Sequence, residues 1–295
     1  MSLTISQAFE IFSSNLEITN KQQNLVSSRR TNVVNSISEK ITLHPQKSLL
    51  IGSYDRDTLI RYLSESDVDI LIILHYGENK DWNNSFGAIK VLDRFKEILD
   101  LSFPTVEKRR DRNCICMKYS EFTLDVVPAF LHDEGYFTIP DANRGLWIKT
   151  NPIKFAEYQT NINKLMHGTY KPLIKMVKAW NRNVGWPIKS FHLECIMNNR
   201  YSNYTQGYTF SSMLKIFFDN LPQYLQNPSY DPITGDRVDT YLDNVAYDKN
   251  KRRIAIEKAK KASIIASMAY DEEQNYPSEA LSYWKQLLGE FFPNV

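Results

Sequence analysis

The sequence predicts an α+β fold, with a mixed-sheet lobe in the first half of the chain and an all-helical lobe in the second. Three observations support this prediction. Short apolar segments typical of strands surround one amphipathic helix between residues 47 and 127. Apolar residues at helical spacing precede them over residues 5–41, as one long or interrupted helix. After about residue 151 the periodic segments all have helical spacing, so we place the two domains at 1–150 and 151–295.

The elements follow in order along the first domain. Strands are predicted over residues 47–51, 68–74, 106–109, 114–119 and 122–127. A helix is predicted over residues 85–101, where Ile89, Leu92, Phe95 and Leu99 form an apolar face. The helices of the second domain begin at Asn-Pro 151–152, because proline is well tolerated at the first helical position.

Composition excludes several classes of protein. The chain has 295 residues, 42% of them hydrophobic, and a formal net charge of +2, so total charge does not indicate a nucleic-acid binder, although a local basic groove stays open. No apolar run approaches the roughly 20 residues that span a bilayer, and the first residues lack the pattern of a secretory signal. We expect a cytoplasmic monomer that does not enter membranes. Its three cysteines match no disulfide or zinc motif, so we expect ordinary, partly buried thiols.

The segment "GSYDRDTLIRYLSESDVDILIIL" contains two aspartates at the mouth of an apolar strand. Because side chains alternate along a strand, Asp67 and Asp69 point to the same face. Two carboxylates this close repel, and a divalent cation between them removes the conflict. Oxygen ligands of this kind favour Mg²⁺ or Mn²⁺.

A third carboxylate occurs in "TLDVVPAF", where Asp125 lies within an apolar strand. A carboxylate among such residues is costly unless it is paired or bound to a metal. It can also bond backbone at a strand end, but beside an Asp-x-Asp strand the metal-binding interpretation is favoured. Together Asp67, Asp69 and Asp125 predict a two-metal site.

Gly52 and Ser53 leave the strand that precedes the acidic pair. Glycine permits a close backbone approach, and a serine hydroxyl with neighbouring backbone N–H groups can hold a phosphate. Arg56 follows shortly after and can either meet a phosphate or pair with Asp55 or Asp57. The order of these residues predicts a nucleotide site next to the carboxylates.

This constellation resembles the nucleotidyltransferase superfamily that includes DNA polymerase β, and within it the bacterial CD-NTases, the nucleotidyltransferases similar to cGAS and DncV. Both quoted segments are similar to the family's Gly-Ser, Ser-Asp-x-Asp and third-aspartate signatures. The resemblance continues through "LIKMVKAWNRNVGWPIKSFHLECI", "YDPITGDRV" and "ALSYWKQLLGEFFP", and so covers nearly the whole chain. It implies a polymerase β-like catalytic lobe spanned by an N-terminal helix, and a helical lobe like that of oligoadenylate synthetase and cGAS.

The resemblance also implies an activity. The enzyme would join NTPs into a cyclic di- or trinucleotide second messenger of anti-phage defence and release pyrophosphate, using two Mg²⁺ or Mn²⁺ ions. The metal ligands would be Asp67, Asp69 and Asp125. Ser53, after Gly52, would contact the terminal phosphates. The remaining nucleotide contacts would be Lys178 and Ser190 on the triphosphate and Phe191 under a base.

Partners and alternatives remain open at this point. The product would act on a downstream effector, and a regulatory RNA or protein could control the enzyme. One alternative is a nucleotidyltransferase with another acceptor, such as an RNA tail, a protein hydroxyl or a small molecule. The other is a catalytically silent nucleotide or RNA sensor, which three intact aspartates disfavour.

Overall fold

A computed structural model describes residues 3–84, 86–202, 208–243 and 250–294. The chain forms two compact units, which we name the sheet unit (Ile18–Ala156) and the helical unit (Met1–Glu17 with Glu157–Val295). The predicted α+β class is confirmed. The domain limits of 1–150 and 151–295 stay a prediction, since they describe functional lobes rather than compact units.

The strands of the described chain all lie in the sheet unit, and helices occur in both units. The strands are β1 (Leu43–Ile51), β2 (Asp67–Leu74), β3 (Glu107–Arg110), β4 (Ile115–Lys118), β5 (Thr123–Leu131), β6 (Phe137–Asp141) and β7 (Leu146–Thr150). The helices are α1 (Ile5–Leu16), α2 (Asn20–Ser38), α3 (Gly52–Asp55), α4 (Tyr76–Asn79), α5 (Gly87–Ser102), α6 (Pro152–Leu165), α7 (Tyr170–Asn183), α8 (Ser190–Tyr201), α9 (Phe210–Tyr224), α10 (Lys251–Glu272) and α11 (Pro277–Leu288).

The helical pattern over residues 5–41 forms two helices rather than one long helix, because a second helix start lies inside it. Thr4 and Gln7 form a capping box at the start of α1, and Thr19 and Gln22 form another at the start of α2. Each box satisfies backbone N–H groups that a helix start leaves open. The first helix packs with α7, α9 and α11 in the helical unit, whereas α2 covers the sheet.

The sheet has the strand order β1-β2-β5-β4-β3, and a β6–β7 hairpin extends from the far end of β5. Strands β2 and β5 are parallel, while the other pairs are antiparallel, so the predicted mixed sheet is confirmed. A parallel pair needs a long crossover, and the segment containing α5, β3 and β4 supplies it.

Two features of this sheet were not predicted. Strand β5 continues beyond Pro128 to Leu131, because among the described strands only β2 pairs at the level of Pro128. A proline lacks the N–H that a second neighbour would need there. The β6–β7 hairpin also escaped prediction, since Pro140 interrupts its first strand and its second contains three consecutive apolar residues.

Strand β2 is buried on one face along its length and on the other only beyond its first residues. Its alternate residues from Val68 to Leu74 pack in the core that α2 and α5 cover. Leu71 and Ile73 join a second, smaller cluster on the opposite face. Asp67 and Asp69 precede them on that face, so the acidic pair lies at the end of the strand that this cluster leaves open.

The helical unit is built around large aromatic side chains. Phe9 of α1 contacts the rings of Phe210, Trp284 and Phe292. Helix α10 packs against α9 and α11 through a stripe of buried alanines, which allows the backbones to approach closely: Ala255, Ala259, Ala262, Ala266 and Ala269. In the described part of the chain, no helix has the length and apolar character to cross a membrane.

Candidate active site

Three carboxylates lie on one face of the sheet, on the adjacent strands β2 and β5. They belong to Asp67, Asp69 and Asp125. The parallel register places Asp69 directly beside Asp125 and places Asp67 beside Thr123. Because alternate residues of a strand share a face, Asp67 lies on the same side as the other two. The structure therefore brings together the three acids that the sequence predicted.

This arrangement is electrostatically unfavourable without a cation. Burial, followed by repulsion from Asp125 and then Asp67, raises the pKa of Asp69 to about 7. The pKa values of Asp67 and Asp125 are raised too, with burial as the main cause. Oδ1 of Asp125 is buried without a hydrogen-bond partner among the described residues. A divalent cation would satisfy this oxygen and neutralise the group, so the residues fit a metal site.

Gly52 and Ser53 open the short helix α3 directly after β1. Gly52 has a φ of 72°, in the left-handed region that glycine adopts without cost. The carbonyl oxygen of Ser53 accepts hydrogen bonds from the backbone N–H groups of Thr58 (2.9 Å) and Leu59 (3.0 Å). These bonds fix the loop that leads from β1 towards the carboxylates.

Two arginines add positive charge near the acids. Arg56 is buried, its guanidinium lies 5.0 Å from the centre of the Phe155 ring, and its charge opposes the rise in the pKa of Asp69. Arg109 of β3 is exposed and attracts both Asp67 and Asp125. Sequence reasoning did not select Arg109, because only the sheet order brings β3 near the acids.

Cys116 of β4 and Cys114, the residue before β4, also lie near the site. Cys116 lies opposite Asp125 in the antiparallel β4–β5 register, and the sulfur atoms of Cys114 and Cys116 both lie within 4.8 Å of an Asp125 carboxylate oxygen. Their sulfur atoms are 3.5 Å apart. We had expected ordinary thiols here. Their alternation is visible in the sequence, but only the pairing of β4 with β5 relates it to Asp125.

The helical unit contains the other predicted residues. Lys178 of α7 is buried, and its Nζ lies 2.6 Å from Oε1 of Glu194, which is fully buried. The amide of Gln159 donates to the other oxygen of Glu194 at 2.9 Å. The predicted phosphate-binding lysine is thus part of a buried ion pair.

Ser190 and Phe191 are the first two residues of α8. The side chain of Phe191 is 40% exposed, so it is partly accessible from solvent. Behind them, the hydroxyl of Tyr241 accepts a hydrogen bond from the Lys189 backbone N–H (2.8 Å) and contacts Nδ1 of the buried His192 (3.1 Å). These contacts hold the start of α8 in place.

Comparison with known proteins assigns the chain to the nucleotidyltransferases. Residues 3–163 match the family described as the Second Messenger Oligonucleotide or Dinucleotide Synthetase domain. Because the match spans more than half of the chain, the protein belongs to that family. The predicted CD-NTase resemblance and enzyme class are confirmed.

Curated relatives extend the similarity beyond this region. A cyclic AMP-AMP-AMP synthase of Acinetobacter sp. is 26% identical over 284 residues, which cover 88% of this chain and 78% of that protein. A probable cyclic nucleotide synthase of Bacillus cereus is 26% identical over 275 residues, with 82% and 81% covered.

Solved structures show the same fold. The Vibrio cholerae cyclic AMP-GMP synthase DncV, in complex with the linear intermediate pppA(3′,5′)pG, aligns with a TM-score of 0.73 and 14% identity over 95% of this chain and 94% of its own. The Escherichia coli CdnC in complex with HORMA-deltaN aligns with a TM-score of 0.68 and 15% identity over 98% of each chain.

Proposed function

We propose that this enzyme joins nucleoside triphosphates into a cyclic di- or trinucleotide, a second messenger of anti-phage signalling, and that its catalytic residues are Asp67, Asp69 and Asp125. The observation that supports these site residues is the alignment of Asp69 with Asp125 on one face, where burial and mutual repulsion leave a site suited to cations. The Acinetobacter relative is named for a product of three AMP units, so ATP is the first substrate to test.

The three carboxylates would hold two Mg²⁺ or Mn²⁺ ions. When bound, such ions neutralise the carboxylates and the triphosphate and make a ribose hydroxyl easier to deprotonate. Hard oxygen donors match these cations, and Mg²⁺ commonly binds through one or two carboxylates plus substrate phosphates. The unpartnered Oδ1 of Asp125 supports its inclusion in the ligand set.

In the reaction, a ribose hydroxyl oxygen of the acceptor nucleotide forms a bond to the α-phosphorus of the donor, and pyrophosphate leaves. Asp125 would accept the hydroxyl proton, as the resemblance implies. Ser53 would contact the terminal phosphates from the loop that Thr58 and Leu59 fix. Further transfer and ring closure repeat the same chemistry.

The helical unit would supply the remaining nucleotide contacts. The resemblance assigns the triphosphate to Lys178 and Ser190 and a base to Phe191. The exposure of Phe191 supports a stacking role, since its ring is accessible to a base. Lys178 could bind phosphate only by sharing its ammonium with Glu194 or leaving it.

Regulation is a separate part of the proposal. We propose that the product acts on a downstream effector and that an RNA or protein partner sets the activity. The Escherichia coli CdnC structure contains a HORMA partner, so a protein activator is the regulator to test first.

The test is incubation with all four labelled NTPs, and with ATP alone, in Mg²⁺ or Mn²⁺, followed by phosphatase treatment and mass spectrometry. We expect a phosphatase-resistant cyclic product from the wild type and none from Asp67→Asn/Asp69→Asn. Asp93→Asn is the matched control, because Asp93 is an exposed carboxylate of α5 paired with Arg110. Linear products, or label on RNA or protein, would contradict ring synthesis. Metal-dependent NTP binding without turnover, with candidate activators present, would favour a silent sensor.

A further inference from the structure

Cys116 of β4 and Cys114, the residue before this strand, form a pair of thiols beside Asp125. The two sulfur atoms and one carboxylate oxygen of Asp125 all lie within 4.8 Å of one another. The two sulfur atoms are 3.5 Å apart. Two thiolates on one tetrahedral Zn²⁺ ion, with Zn–S bonds near 2.3 Å, are roughly 3.8 Å apart. The pair therefore needs only a small adjustment to hold such an ion.

The donor set differs in kind from the three aspartates. Thiolates are soft ligands that select Zn²⁺ and similar ions, whereas Mg²⁺ requires oxygen. A coordinating metal deprotonates a thiol that would otherwise stay neutral. Asp125 is the third donor, and its Oδ1 is buried without a hydrogen-bond partner among the described residues. Two sulfurs and one oxygen leave a fourth position of a tetrahedral ion open to water or phosphate.

We propose that Cys114, Cys116 and Asp125 form a binding site for a thiophilic divalent cation, such as Zn²⁺, that overlaps the Mg²⁺ site of the three aspartates at Asp125. The two sites share Asp125, so a thiophilic cation withdraws this carboxylate from the catalytic set. The enzyme is therefore inhibited by Zn²⁺ and recovers when a chelator removes the ion.

The binding part of this proposal is tested without nucleotides, so its outcome does not depend on the proposed reaction. The probe is Cd²⁺ alone, added to reduced full-length protein, because thiolate-to-Cd²⁺ charge transfer gives an ultraviolet absorption band. We expect a band that saturates at one Cd²⁺ per chain, disappears on addition of Zn²⁺ and persists in a large excess of Mg²⁺. No band, or a band that Mg²⁺ abolishes at the same concentration as Zn²⁺, would overturn the proposal.

Variants locate the ion. Cys116→Ser should lower the band to about half and weaken Cd²⁺ binding at least tenfold, and Cys114→Ser/Cys116→Ser should abolish both. Cys195→Ser is the matched control, because Cys195 is a buried free cysteine of α8 in the helical unit, and it should leave the band unchanged. A band that survives in the double variant, or that Cys195→Ser removes, would refute the assignment. Circular dichroism and thermal unfolding establish that each variant is folded, and Cys116→Ser is the milder change because Cys116 is only half-buried.

Discussion

A Cβ atom at position 52 would lie 2.1 Å from Oδ2 of Asp69. No real side chain tolerates this distance, so the carboxylate occupies the space that a glycine leaves free. Gly52 thus shapes the site by close approach as well as by its positive φ. The residue that begins α3 and the central acid of the sheet thus lie in close contact.

Gly52→Ala should therefore displace Asp69 and impair catalysis. We expect a fall of roughly 10²-fold in kcat, since a misplacement of about 1 Å can cost that much. Gly135→Ala is the control, because Gly135 also has a positive φ but nothing within 4 Å of an added Cβ. Both variants should lose about 1–2 kcal/mol of stability through backbone strain. Equal loss of activity in the two variants would contradict the steric explanation.

Asp69→Asn should abolish activity but stabilise the metal-free protein. Burial and two neighbouring carboxylates disfavour the ionised form of Asp69, as the rise of its pKa to about 7 indicates. Thermal unfolding at pH 8 with EDTA should show a higher Tm than the wild type, by roughly 2–4 °C per kcal/mol gained. Mg²⁺ should raise the Tm of the wild type more than that of the variant. A lower Tm of Asp69→Asn in EDTA would show that the buried charge of Asp69 does not destabilise the metal-free protein.

The buried pair of Lys178 and Glu194 predicts a stability effect that can be separated from nucleotide binding. Lys178→Met leaves the fully buried Glu194 without its ammonium partner, so we expect a loss of about 3–5 kcal/mol in the free energy of unfolding by urea. Lys175→Met is the matched control on α7. Lys175 is also buried and paired at 2.6 Å, but its partner Glu17 is 46% exposed and stays hydrated.

The second change, Glu194→Gln in the Lys178→Met background, should restore part of the lost stability. If the double variant is stable but its KM for NTP is raised, Lys178 has the predicted phosphate role. An equal stability loss in Lys175→Met and Lys178→Met would contradict the explanation from burial.

The start of α8 should respond to mild acid. Burial lowers the pKa of His192 from its ordinary 6.5 to about 4. The unfolded chain therefore binds the proton first, and stability is lost as the pH falls from about 6.5 towards 4. The shift corresponds to about 3 kcal/mol. Urea unfolding between pH 8 and pH 4 should show this slope in the wild type and a flatter one in His192→Gln. Parallel curves would contradict it.

Acid has a further effect below this range, through Asp239. Hydrogen bonds from Arg237 and Arg252 hold its pKa at about 2, below the ordinary 3.8, in spite of burial. Its contribution to stability is complete above pH 3.8 and is lost as the pH falls towards 2. His192 and Asp239 therefore affect stability in separate pH ranges, the first between about 6.5 and 4 and the second between 3.8 and about 2.

Phe191→Ala should weaken nucleotide binding without changing stability much. Stacking of one base is worth about 1–3 kcal/mol, so KM for NTP should rise roughly 5- to 150-fold. Tyr270→Ala is the control, since Tyr270 is an aromatic residue of α10 with almost the same exposure, 39% against 40%. Similar kinetics for the two variants would remove Phe191 from the nucleotide site.

The acidic residues could be selected from the sequence because each breaks a strong local pattern. Asp67 and Asp69 interrupt a strand whose other residues are apolar, and Asp125 does the same in β5. A carboxylate in such a place carries an energetic cost that requires a compensating partner. Their roles as metal ligands stay predictions, but their position on one face follows from strand alternation and register.

Other residues of the site could not be selected this way. Arg109 in β3, Cys116 in β4 and Cys114 just before β4 look ordinary in the sequence. Only the pairing of β3 with β4 and of β4 with β5 brings them near Asp125. The β6–β7 hairpin was missed because Pro140 obscures its strand pattern. In the same way, Lys178 looks like a lysine on a helix, and its burial depends on where α8 packs.

By itself the sequence determined the α+β class, most of the element periods and the three aspartates, because these depend on local periodicity and on the high cost of burying charge. The tertiary structure alone decided which side chains meet. It set the register that places Asp69 beside Asp125 and Cys116 beside Asp125, the approach of Gly52 to Asp69, and the pairing of Lys178 with Glu194. These contacts join residues far apart in the chain, and their energies depend on packing that no local pattern encodes.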